Sequence, residues 1–237
     1  MTKSLVRRWL SRPKRDLHIA LVDRGYAPAK PGGAEGVAAL GHRGYVGREW
    51  DAMGALQFQF LLDQGLRPDD VVCDIGCGSL RAGRLLVPYL DRGHYLGLDA
   101  VAELVAEGLA RELDPAVVAA KAPELVISER FEFERFSRPP TRALAVSLFT
   151  HLTGADIVSC LTRLGQWADG GCTCLATFFE VPRPVRNYRR SHPHLGFHYT
   201  RAEMAAFGAE SGWASEYVGP WGDFVGGQMM IRYSPLT

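Results

Sequence analysis

Asp74, Gly76 and Gly78 lie together at a point of the sequence where an apolar run passes into a helical pattern. Two glycines let the backbone bend sharply and approach a ligand without a Cβ clash. The N-terminus of the helix that follows offers free N–H groups to a polar or anionic group. A carboxylate just before the first glycine suits a ligand with a positive centre, such as an ammonium or a sulfonium. The alternative for Asp74 is a turn or helix cap.

The spacing around this turn excludes two common nucleotide-binding motifs. A dinucleotide-binding G-x-G-x-x-G string starting at Gly76 needs a glycine where Arg81 stands, and the chain has no G-x-x-x-x-G-K-[ST] string for phosphate. A second acid, Asp99, ends the next apolar run. A carboxylate there suits hydrogen bonds to the two hydroxyls of a ribose, and the alternative is an acid in a strand-end loop.

Short apolar runs alternate with helical patterns from about residue 45 onward. This alternation predicts a doubly wound α/β sheet of parallel strands, which binds ligands at the carboxyl ends of its strands. The predicted strands cover residues 70–75, 95–98, 125–127, 143–148, 172–179, 215–218 and 227–233. The predicted helices cover residues 48–63, 80–90, 101–113, 155–167 and 201–211, with Ser79 as the N-cap of the second.

The composition is that of a globular protein. Of 237 residues, 47% are hydrophobic and 22% are charged, which favours one large domain, alone or with an appendage. Disorder, a collagen and a disulfide scaffold are excluded. No run of about 18 apolar residues exists, so no transmembrane helix is expected. The net charge of +1 shows no basic excess, so no nucleic-acid partner is expected.

Residues 1–44 are predicted to form a basic arm and a helical cap, and residues 45–237 the main domain. The first fifteen residues contain no acid, and their basic residues are Lys3, Arg7, Arg8, Arg12, Lys14 and Arg15. They lack the apolar core of a secretory signal. We expect a solvated arm or a subunit contact in a homodimer, and the alternative is contact with an anionic membrane surface. Residues 27–41 are rich in Pro, Gly and Ala, which predicts a linker or flexible cap.

The cysteines are predicted to be small packing residues. There are five, Cys73, Cys77, Cys160, Cys172 and Cys174, and none forms a C-x-x-C pair. An odd number of cysteines without such pairing favours a reducing compartment over a disulfide framework, and a zinc site would need closer pairing with histidines. The expected location is therefore the cytoplasm.

The glycine turn and the acid after it resemble the cofactor site of class I S-adenosylmethionine-dependent methyltransferases, over about residues 45–235. Asp74-x-Gly76-x-Gly78 is similar to the first motif of that family, and Asp99 to its ribose-binding acid. The resemblance implies a Rossmann-like, mostly parallel seven-stranded sheet with S-adenosylmethionine as the cofactor. It also implies further cofactor-binding residues: Glu132 and Phe133 at the adenine after the third strand, and Ala145 and Val146 at the methionine end after the fourth.

Longer strings are similar to a bacterial subfamily of small methyltransferases, namely DIGCGSLRAGRLLVPYL, YLGLD, SLFTHLT and ATFFE. The string WDAMGALQFQFLLDQGLRP resembles the helix that leads into the domain in that subfamily, with Gln57 toward the cofactor. The alternative for Gln57 is a solvated helix side chain. This resemblance implies a sugar or a glycan precursor as the methyl acceptor.

Methyl transfer to a hydroxyl needs a base that removes its proton, and histidine is the usual base near neutral pH. His151 follows the predicted fourth strand, so it should lie at the carboxyl edge of the sheet as the general base. The alternative is a histidine that caps or packs the next helix. Glu180 ends the fifth strand and is the second catalytic candidate, to orient the base, bind a hydroxyl or ligate a cation; the alternative is a solvated acid. Mg²⁺ is possible, but no tight acidic cluster supports it.

The segment after the fifth strand is rich in arginine, histidine and tyrosine, which suits a polyhydroxylated or phosphorylated ligand. Its candidate substrate-binding residues are Arg186, Tyr188, His194, His198 and Tyr199. The alternative is a loop that faces solvent or another subunit. The sequence as a whole predicts an O-methyltransferase of a small polar acceptor, preferably a carbohydrate. The alternatives are an N-methyltransferase of an amine or a protein, and a non-catalytic cofactor-binding protein.

Overall fold

The structure is a computed structural model that describes residues 12–27, 30–47, 49–221 and 227–236. Residues 1–11 of the basic arm lie outside the described residues, and so do the subunit and membrane contacts considered for them. Among the helices of the described ranges, none has the length and apolar character needed to cross a membrane.

The predicted α/β architecture with a mostly parallel sheet is confirmed. Within the described part of the chain the strands are β1 (Val72–Ile75), β2 (Tyr95–Asp99), β3 (Glu124–Ile127), β4 (Arg142–Ala145), β5 (Thr173–Glu180), β6 (His198–Tyr199), β7 (Trp213–Pro220) and β8 (Gln228–Pro235). The sheet order is β3-β2-β1-β4-β5-β8-β7, and the short β6 pairs with β5 outside this path. The first five strands run parallel, whereas β8 is antiparallel to β5 and β7. The chain changes direction across the sheet at β1, which is the switch point of such folds.

Helices cover both faces of the sheet, which explains the continuous apolar character of its central strands. The helices are α1 (Arg12–Asp23), α2 (Gly33–Leu40), α3 (His42–Val46), α4 (Trp50–Asp63), α5 (Gly83–Tyr89), α6 (Ala102–Glu112), α7 (Pro115–Lys121), α8 (Gly154–Ala168) and α9 (Arg201–Glu210). In β1, Cys73 and Ile75 pack in a cluster with residues of α8 and α9. Val72 packs on the opposite face with residues of α4 and α5.

The N-terminal cap is helical, as predicted for the cap as a whole, but the prediction of a linker or flexible cap over residues 27–41 is wrong. Residues 33–46 form α2 and α3, and Val37 and Tyr45 pack with Leu104 of α6 in a small buried cluster. Glycine and proline are poor helix formers, so composition gave no helix signal here. Packing against α6 stabilises the helices instead.

A charged contact also joins the cap to α6. Arg43 donates to the carboxylate of Glu112 at 2.7 Å, and a ring nitrogen of His42 lies 2.8 Å from the same group. Burial raises the pKa of Glu112, but the hydrogen bonds from Arg43 and His42 outweigh it and lower the value. The predicted domain boundary between residues 44 and 45 falls inside α3.

The helix after β1 begins later than its pattern predicts. The pattern predicts a helix over residues 80–90 with Ser79 as the N-cap, but α5 begins at Gly83, and the Ser79 hydroxyl donates to the carbonyl of His42 at 3.3 Å. The intervening residues form turns, in which Leu80 adopts a left-handed φ of 63°. That conformation costs about 1–2 kcal/mol for a residue with a side chain. The fully buried side chain of Leu80 offsets this cost.

The five cysteines are buried free thiols, in keeping with their predicted packing role. Burial raises the pKa of each thiol. The neutral thiol therefore predominates, and these residues pack as small apolar groups.

Candidate active site

A cavity of about 830 Å³ opens at the carboxyl ends of β1 to β4. This is the edge at which open α/β sheets bind ligands. Its wall contains the turn after β1, residues after β2, β3 and β4, part of α4, the N-terminal cap and part of the segment after β5. The volume lies in the upper part of the range of about 300–1,000 Å³ that is typical of ligand pockets.

The glycine turn after β1 forms one wall of the cavity, as its sequence predicts. The amide of Gly76 donates to the carbonyl of Leu98 at 2.7 Å, which ties the turn to β2. Gly76 and Gly78 have φ angles of 72° and 55°, a region that favours glycine. A Cβ atom at Gly76 would lie 3.0 Å from the side chain of Leu148, and one at Gly78 would lie 3.0 Å from Val46. The turn therefore needs glycine for its conformation and for its close packing.

Asp74 lines the cavity and is only 5% exposed. One of its carboxylate oxygens accepts a hydrogen bond from the Tyr95 hydroxyl at 2.8 Å. Burial raises the pKa of Asp74 from 3.8 to about 6, although the Tyr95 hydrogen bond and the charge of Arg81 oppose the rise. The carboxylate of Asp74 therefore hydrogen-bonds to a side chain, and in the described part of the chain it does not cap a turn or a helix as in the alternative interpretation. The carboxylate is available to a ligand with a positive charge.

Two buried polar side chains of the cavity wall have unpartnered atoms. Gln57 is 4% exposed, so it is not the solvated side chain of the alternative interpretation. Its Oε1, and the Nε of the buried Arg81, have no hydrogen-bond partner within the described ranges. Burial lowers the pKa of Arg81 to about 10, and the charge of Asp74 acts against it. Since buried polar groups are rarely left unpaired, these atoms indicate a polar ligand in the cavity.

Asp99 supports the glycine turn and also lines the cavity. One carboxylate oxygen accepts from the amide of Gly78 and the other from the amide of Val101, each at 2.8 Å. Burial raises the pKa of Asp99, and these backbone hydrogen bonds act against the rise. A carboxylate has about four acceptor positions. The positions that remain after these two bonds can accept from ligand hydroxyls.

After β3 the structure places different residues at the cavity from those that the resemblance implies. The residues of this stretch that line it are Ser128, Glu129 and Phe131. Phe133 is fully buried, with its ring centroid 6.0 Å from that of Trp167. Glu132 lies outside the lining and accepts a hydrogen bond from Ser128 Oγ at 2.9 Å. Phe131 has a φ of 56°, and this reversal of the chain directs Phe131, rather than Phe133, to the cavity.

After β4, Val146 lines the cavity but Ala145 does not. Ala145 is fully buried within β4 and pairs with Ala176 of β5. Ser147, the third residue of the Ala145-Val146-Ser147 string that resembles the fourth-strand motif of the family, also lines the cavity. Its amide donates to Thr177 Oγ1 at 2.7 Å, and its φ is 59°. The left-handed conformation of this serine directly after a parallel strand is visible in the structure and cannot be predicted from the sequence.

His151 lies in the cavity wall with a defined hydrogen bond on one ring nitrogen. Its Nδ1 lies 2.9 Å from the carbonyl oxygen of Leu195. Since a carbonyl only accepts, Nδ1 carries the proton, and in the neutral ring Nε2 carries the lone pair. Burial lowers the pKa of His151 from 6.5. Thr153, rather than His151, caps the next helix through a hydrogen bond from the amide of Asp156.

The five predicted substrate-binding residues do not line the cavity. Two of them hold the segment after β5 against α1. Arg186 pairs with Asp23 at 3.3 Å, and the ring of Tyr188 packs edge-on against His18 with centroids 6.4 Å apart. These side chains therefore face the N-terminal helix instead of a substrate.

The other three predicted residues also have structural contacts. Tyr199 donates its hydroxyl to the carbonyl of Leu152 at 2.7 Å, and the ring of His198 stacks on Phe179 with centroids 5.3 Å apart. The ring of His194 lies edge-on to that of Tyr45, with centroids 4.7 Å apart. The part of the segment that does line the cavity is residues 189–193. The density of arginine and histidine identified the segment, but an irregular loop has no periodicity from which the cavity-facing residues can be predicted.

Glu180, the second catalytic candidate, does not line the cavity. Its carboxylate pairs with the guanidinium of Arg201 and accepts a hydrogen bond from the Tyr217 hydroxyl at 3.0 Å. The end of β5 thus anchors α9 and β7. Across the described ranges, no group of three His, Cys, Asp or Glu side chains is arranged to hold a metal ion, so the possible Mg²⁺ has no site there.

No protein-family model matches the chain. Its structure, however, is similar to those of solved methyltransferases. Magnesium protoporphyrin IX methyltransferase from Synechocystis PCC 6803 with bound S-adenosylmethionine is 14% identical, with a TM-score of 0.58 over 99% of this chain and 97% of that one. An S-adenosylmethionine-dependent methyltransferase from Clostridium acetobutylicum ATCC 824 is 9% identical, with a TM-score of 0.59 over 80% and 93% of the two chains.

An O-methyltransferase from neocarzinostatin biosynthesis is 16% identical, with a TM-score of 0.52 over 70% of this chain and 49% of that one. Its structure is a complex with S-adenosyl-L-homocysteine and 1,4-dihydroxy-2-naphthoic acid. At these low identities the similarity concerns the fold. The chain has the Rossmann-like fold of class I S-adenosylmethionine-dependent methyltransferases.

Proposed function

We propose that this protein is an S-adenosylmethionine-dependent O-methyltransferase that acts on a hydroxyl group of a small polar acceptor. A sugar or an oligosaccharide precursor is the favoured acceptor class. His151 is the proposed general base, and the cavity at the carboxyl edge of the sheet holds cofactor and acceptor.

The chemistry of the cavity wall fits S-adenosylmethionine. The remaining acceptor positions of Asp99 suit the ribose hydroxyls, as acids at the end of β2 do in related nucleotide sites. Asp74 suits a cationic group, and the buried Arg81 suits a carboxylate. Phe131 provides an aromatic ring for the adenine. The structure of the Synechocystis enzyme, which shares this fold, holds that cofactor.

The observation that carries the proposal is the hydrogen bond between His151 Nδ1 and the Leu195 carbonyl, 2.9 Å long. It assigns the lone pair to Nε2, and the lowered pKa keeps the ring neutral and basic near neutral pH. S-adenosylmethionine supplies an electrophilic methyl group on a sulfonium. His151 Nε2 is then suited to accept the proton of an attacking hydroxyl as the new bond forms. An amine acceptor has its own lone pair and needs such a base less.

The polar groups near His151 support a polyhydroxylated acceptor. Ser147, Ser191 and His192 are all part of the cavity wall. The hydroxyl of Ser147 is hydrogen-bonded to Gln228 and that of Ser191 to Asp156, so each oxygen keeps a lone pair that can accept from a sugar hydroxyl, and the imidazole of His192 adds a further polar group. The neocarzinostatin enzyme, in contrast, has an aromatic dihydroxy acid as its bound acceptor.

The test uses methyl-labelled S-adenosylmethionine and a fractionated cell extract, and follows which fraction takes up label. The key variant is His151→Asn, whose amide can still donate to the Leu195 carbonyl but has no basic nitrogen. The matched control is His94→Asn, since His94 precedes β2 at the opposite edge of the sheet. Loss of a general base lowers the rate by about 10²–10⁴-fold. We expect that loss in His151→Asn alone, with S-adenosylhomocysteine binding retained in both variants by calorimetry.

The pH dependence provides a second readout. Because burial lowers the pKa of His151, the rate of transfer by the unmodified protein should rise with pH and reach half of its maximum below pH 6.5. The His151→Asn variant should lack this rise. Equal rates of methyl transfer in the unmodified protein and in His151→Asn would refute the role of His151 as the general base. Label in amines or proteins would favour the N-methyltransferase, and tight S-adenosylhomocysteine binding with no labelled fraction would favour a non-catalytic binding protein.

A further inference from the structure

We propose that Arg189 and Arg190 form an anion-binding subsite at the acceptor end of the cavity, so that the acceptor carries a carboxylate or a phosphate beside the hydroxyl that is methylated. This inference rests on the proposed function and specifies its substrate class. Both arginines belong to the cavity wall, unlike the substrate residues that the sequence favoured.

The backbone that carries the two arginines is fixed to the wall of the cavity. On one side, the amide of Arg189 donates to Asp23 of α1 at 3.0 Å. On the other side, the amide of His192 donates to the carbonyl of His151 at 3.1 Å. The arginines therefore have a defined position relative to the proposed base. A ligand that binds them is held close to the residue that would remove its proton.

The acids nearest to this stretch are already engaged. Asp23 pairs with Arg186 and accepts from the amide of Arg189. Asp156 accepts hydrogen bonds from the hydroxyls of Thr153 and Ser191. Neither guanidinium of the proposed subsite has an ion-pair or hydrogen-bond partner in the parts of the chain that the structure describes. Two consecutive arginines of the cavity wall, with the donors of their guanidinium groups uncommitted, suit a carboxylate or a phosphate, which a guanidinium can bind in a bidentate manner.

Both halves of the cavity contain acidic and basic groups, but the cofactor half has three acids against Arg81, and the other half has the two arginines against Asp156. The acids Asp74, Asp99 and Glu129 follow or end β1, β2 and β3, which is the half proposed to hold the cofactor. The two arginines belong to the segment that is joined to residues after β4 by the hydrogen bond from the His192 amide to the His151 carbonyl. Strands β2 and β4 are two strand spacings apart, about 10 Å. The arginines therefore serve a second ligand and not the ribose of the cofactor.

The test measures binding of defined probes by calorimetry to protein saturated with S-adenosylhomocysteine. The probes are inorganic phosphate, glucose 1-phosphate, glucuronate and, as the neutral control, glucose. The variants are Arg189→Gln/Arg190→Gln, the charge-preserving Arg189→Lys/Arg190→Lys, and Arg183→Gln as the matched control, because Arg183 is exposed and outside the cavity wall. All of these substitutions are at exposed positions, so the variants should fold.

We expect the anionic sugars to bind at least about tenfold more tightly than glucose, since charge-assisted hydrogen bonds are roughly twice as strong as neutral ones. The double glutamine variant should lose that preference, the lysine variant should keep part of it, and Arg183→Gln should keep all of it. Tighter binding of glucose 1-phosphate identifies a phosphate as the group, and tighter binding of glucuronate a carboxylate. Equal binding of glucose and both anionic sugars, or an unchanged preference in the glutamine variant, overturns the subsite. Because saturation with S-adenosylhomocysteine is measured first, a failed cofactor site is distinguished from a failed anion site.

Discussion

Replacing Asp74 with asparagine tests a carboxyl group that folding removes almost completely from water. Asparagine has nearly the same size and keeps an oxygen that can accept the Tyr95 hydroxyl. It loses the negative charge proposed to attract the cationic part of the cofactor. We therefore expect opposite effects on two properties: the protein without ligand becomes more stable at neutral pH, while its affinity for S-adenosylhomocysteine falls.

The expected gain follows from the pKa of Asp74, which burial raises from 3.8 to about 6. The folded protein binds this proton more tightly than the unfolded chain, so ionisation lowers stability as the pH rises through that interval. A difference of about two pKa values corresponds to roughly 3 kcal/mol. The Asp74→Asn variant should match the unmodified protein near pH 4 and exceed it by up to about 3 kcal/mol at pH 7. For a chain of this length, that is roughly 6–12 °C in Tm.

Thermal unfolding at a series of pH values, with calorimetry of S-adenosylhomocysteine binding, measures both effects. The matched control is Asp70→Asn, just before β1. Although burial raises the pKa of Asp70, hydrogen bonds from the Arg67 amide and the Arg142 guanidinium lower it overall. Removing this charge should lower stability at neutral pH. The reasoning would be refuted if the Asp74→Asn variant were less stable than the unmodified protein at every pH, or if the difference in stability between the two proteins did not change with pH.

Four other substitutions test the geometry of the site. Gly76→Ala should lower stability by at least about 1 kcal/mol and weaken S-adenosylhomocysteine binding, because its φ is 72° and its Cβ meets Leu148; an unchanged urea midpoint and affinity would contradict this. Phe131→Ala should weaken binding in calorimetry with little change in stability, whereas Phe133→Ala should destabilise by about 3–5 kcal/mol in urea unfolding because Phe133 is fully buried. The reverse pattern would indicate that Phe133, and not Phe131, contacts the adenine. Glu180→Gln should leave S-adenosylhomocysteine binding and methyl transfer unchanged. A large loss of methyl transfer would indicate that Glu180 takes part in the reaction.

The sequence predicted the parts of the molecule that depend on neighbouring residues. The alternation of apolar runs and helical patterns was sufficient to predict that the first five strands form a parallel sheet, and all five strands are present and parallel. The turn at Gly76 and Gly78 and the acid at Asp99 lie at the cavity, because the end of a parallel strand fixes the edge at which the next residue lies. His151 was placed by the same argument after β4.

The sequence was insufficient wherever a contact joins distant segments or a loop has no period. Phe131 rather than Phe133 reaches the cavity because Phe131 has a left-handed backbone conformation. Glu180 accepts a hydrogen bond from Arg201, which lies twenty-one positions further along the chain. The helices over residues 33–46 are stabilised by packing on α6, a contact that their composition does not encode.

The sequence by itself determined the type of fold and the place of Asp74, Gly76, Gly78 and Asp99 at the cavity, because strands, helices and the turn between them follow from local patterns. The tertiary structure decided the acceptor half. Residues 189–193 line the cavity because hydrogen bonds to α1, Asp156 and His151 hold an irregular segment against it. The tautomer of His151 is fixed by the carbonyl of Leu195, forty-four residues away in sequence. Such long-range hydrogen bonds leave no periodic trace in the sequence, so only the folded chain shows which residues line this half of the cavity.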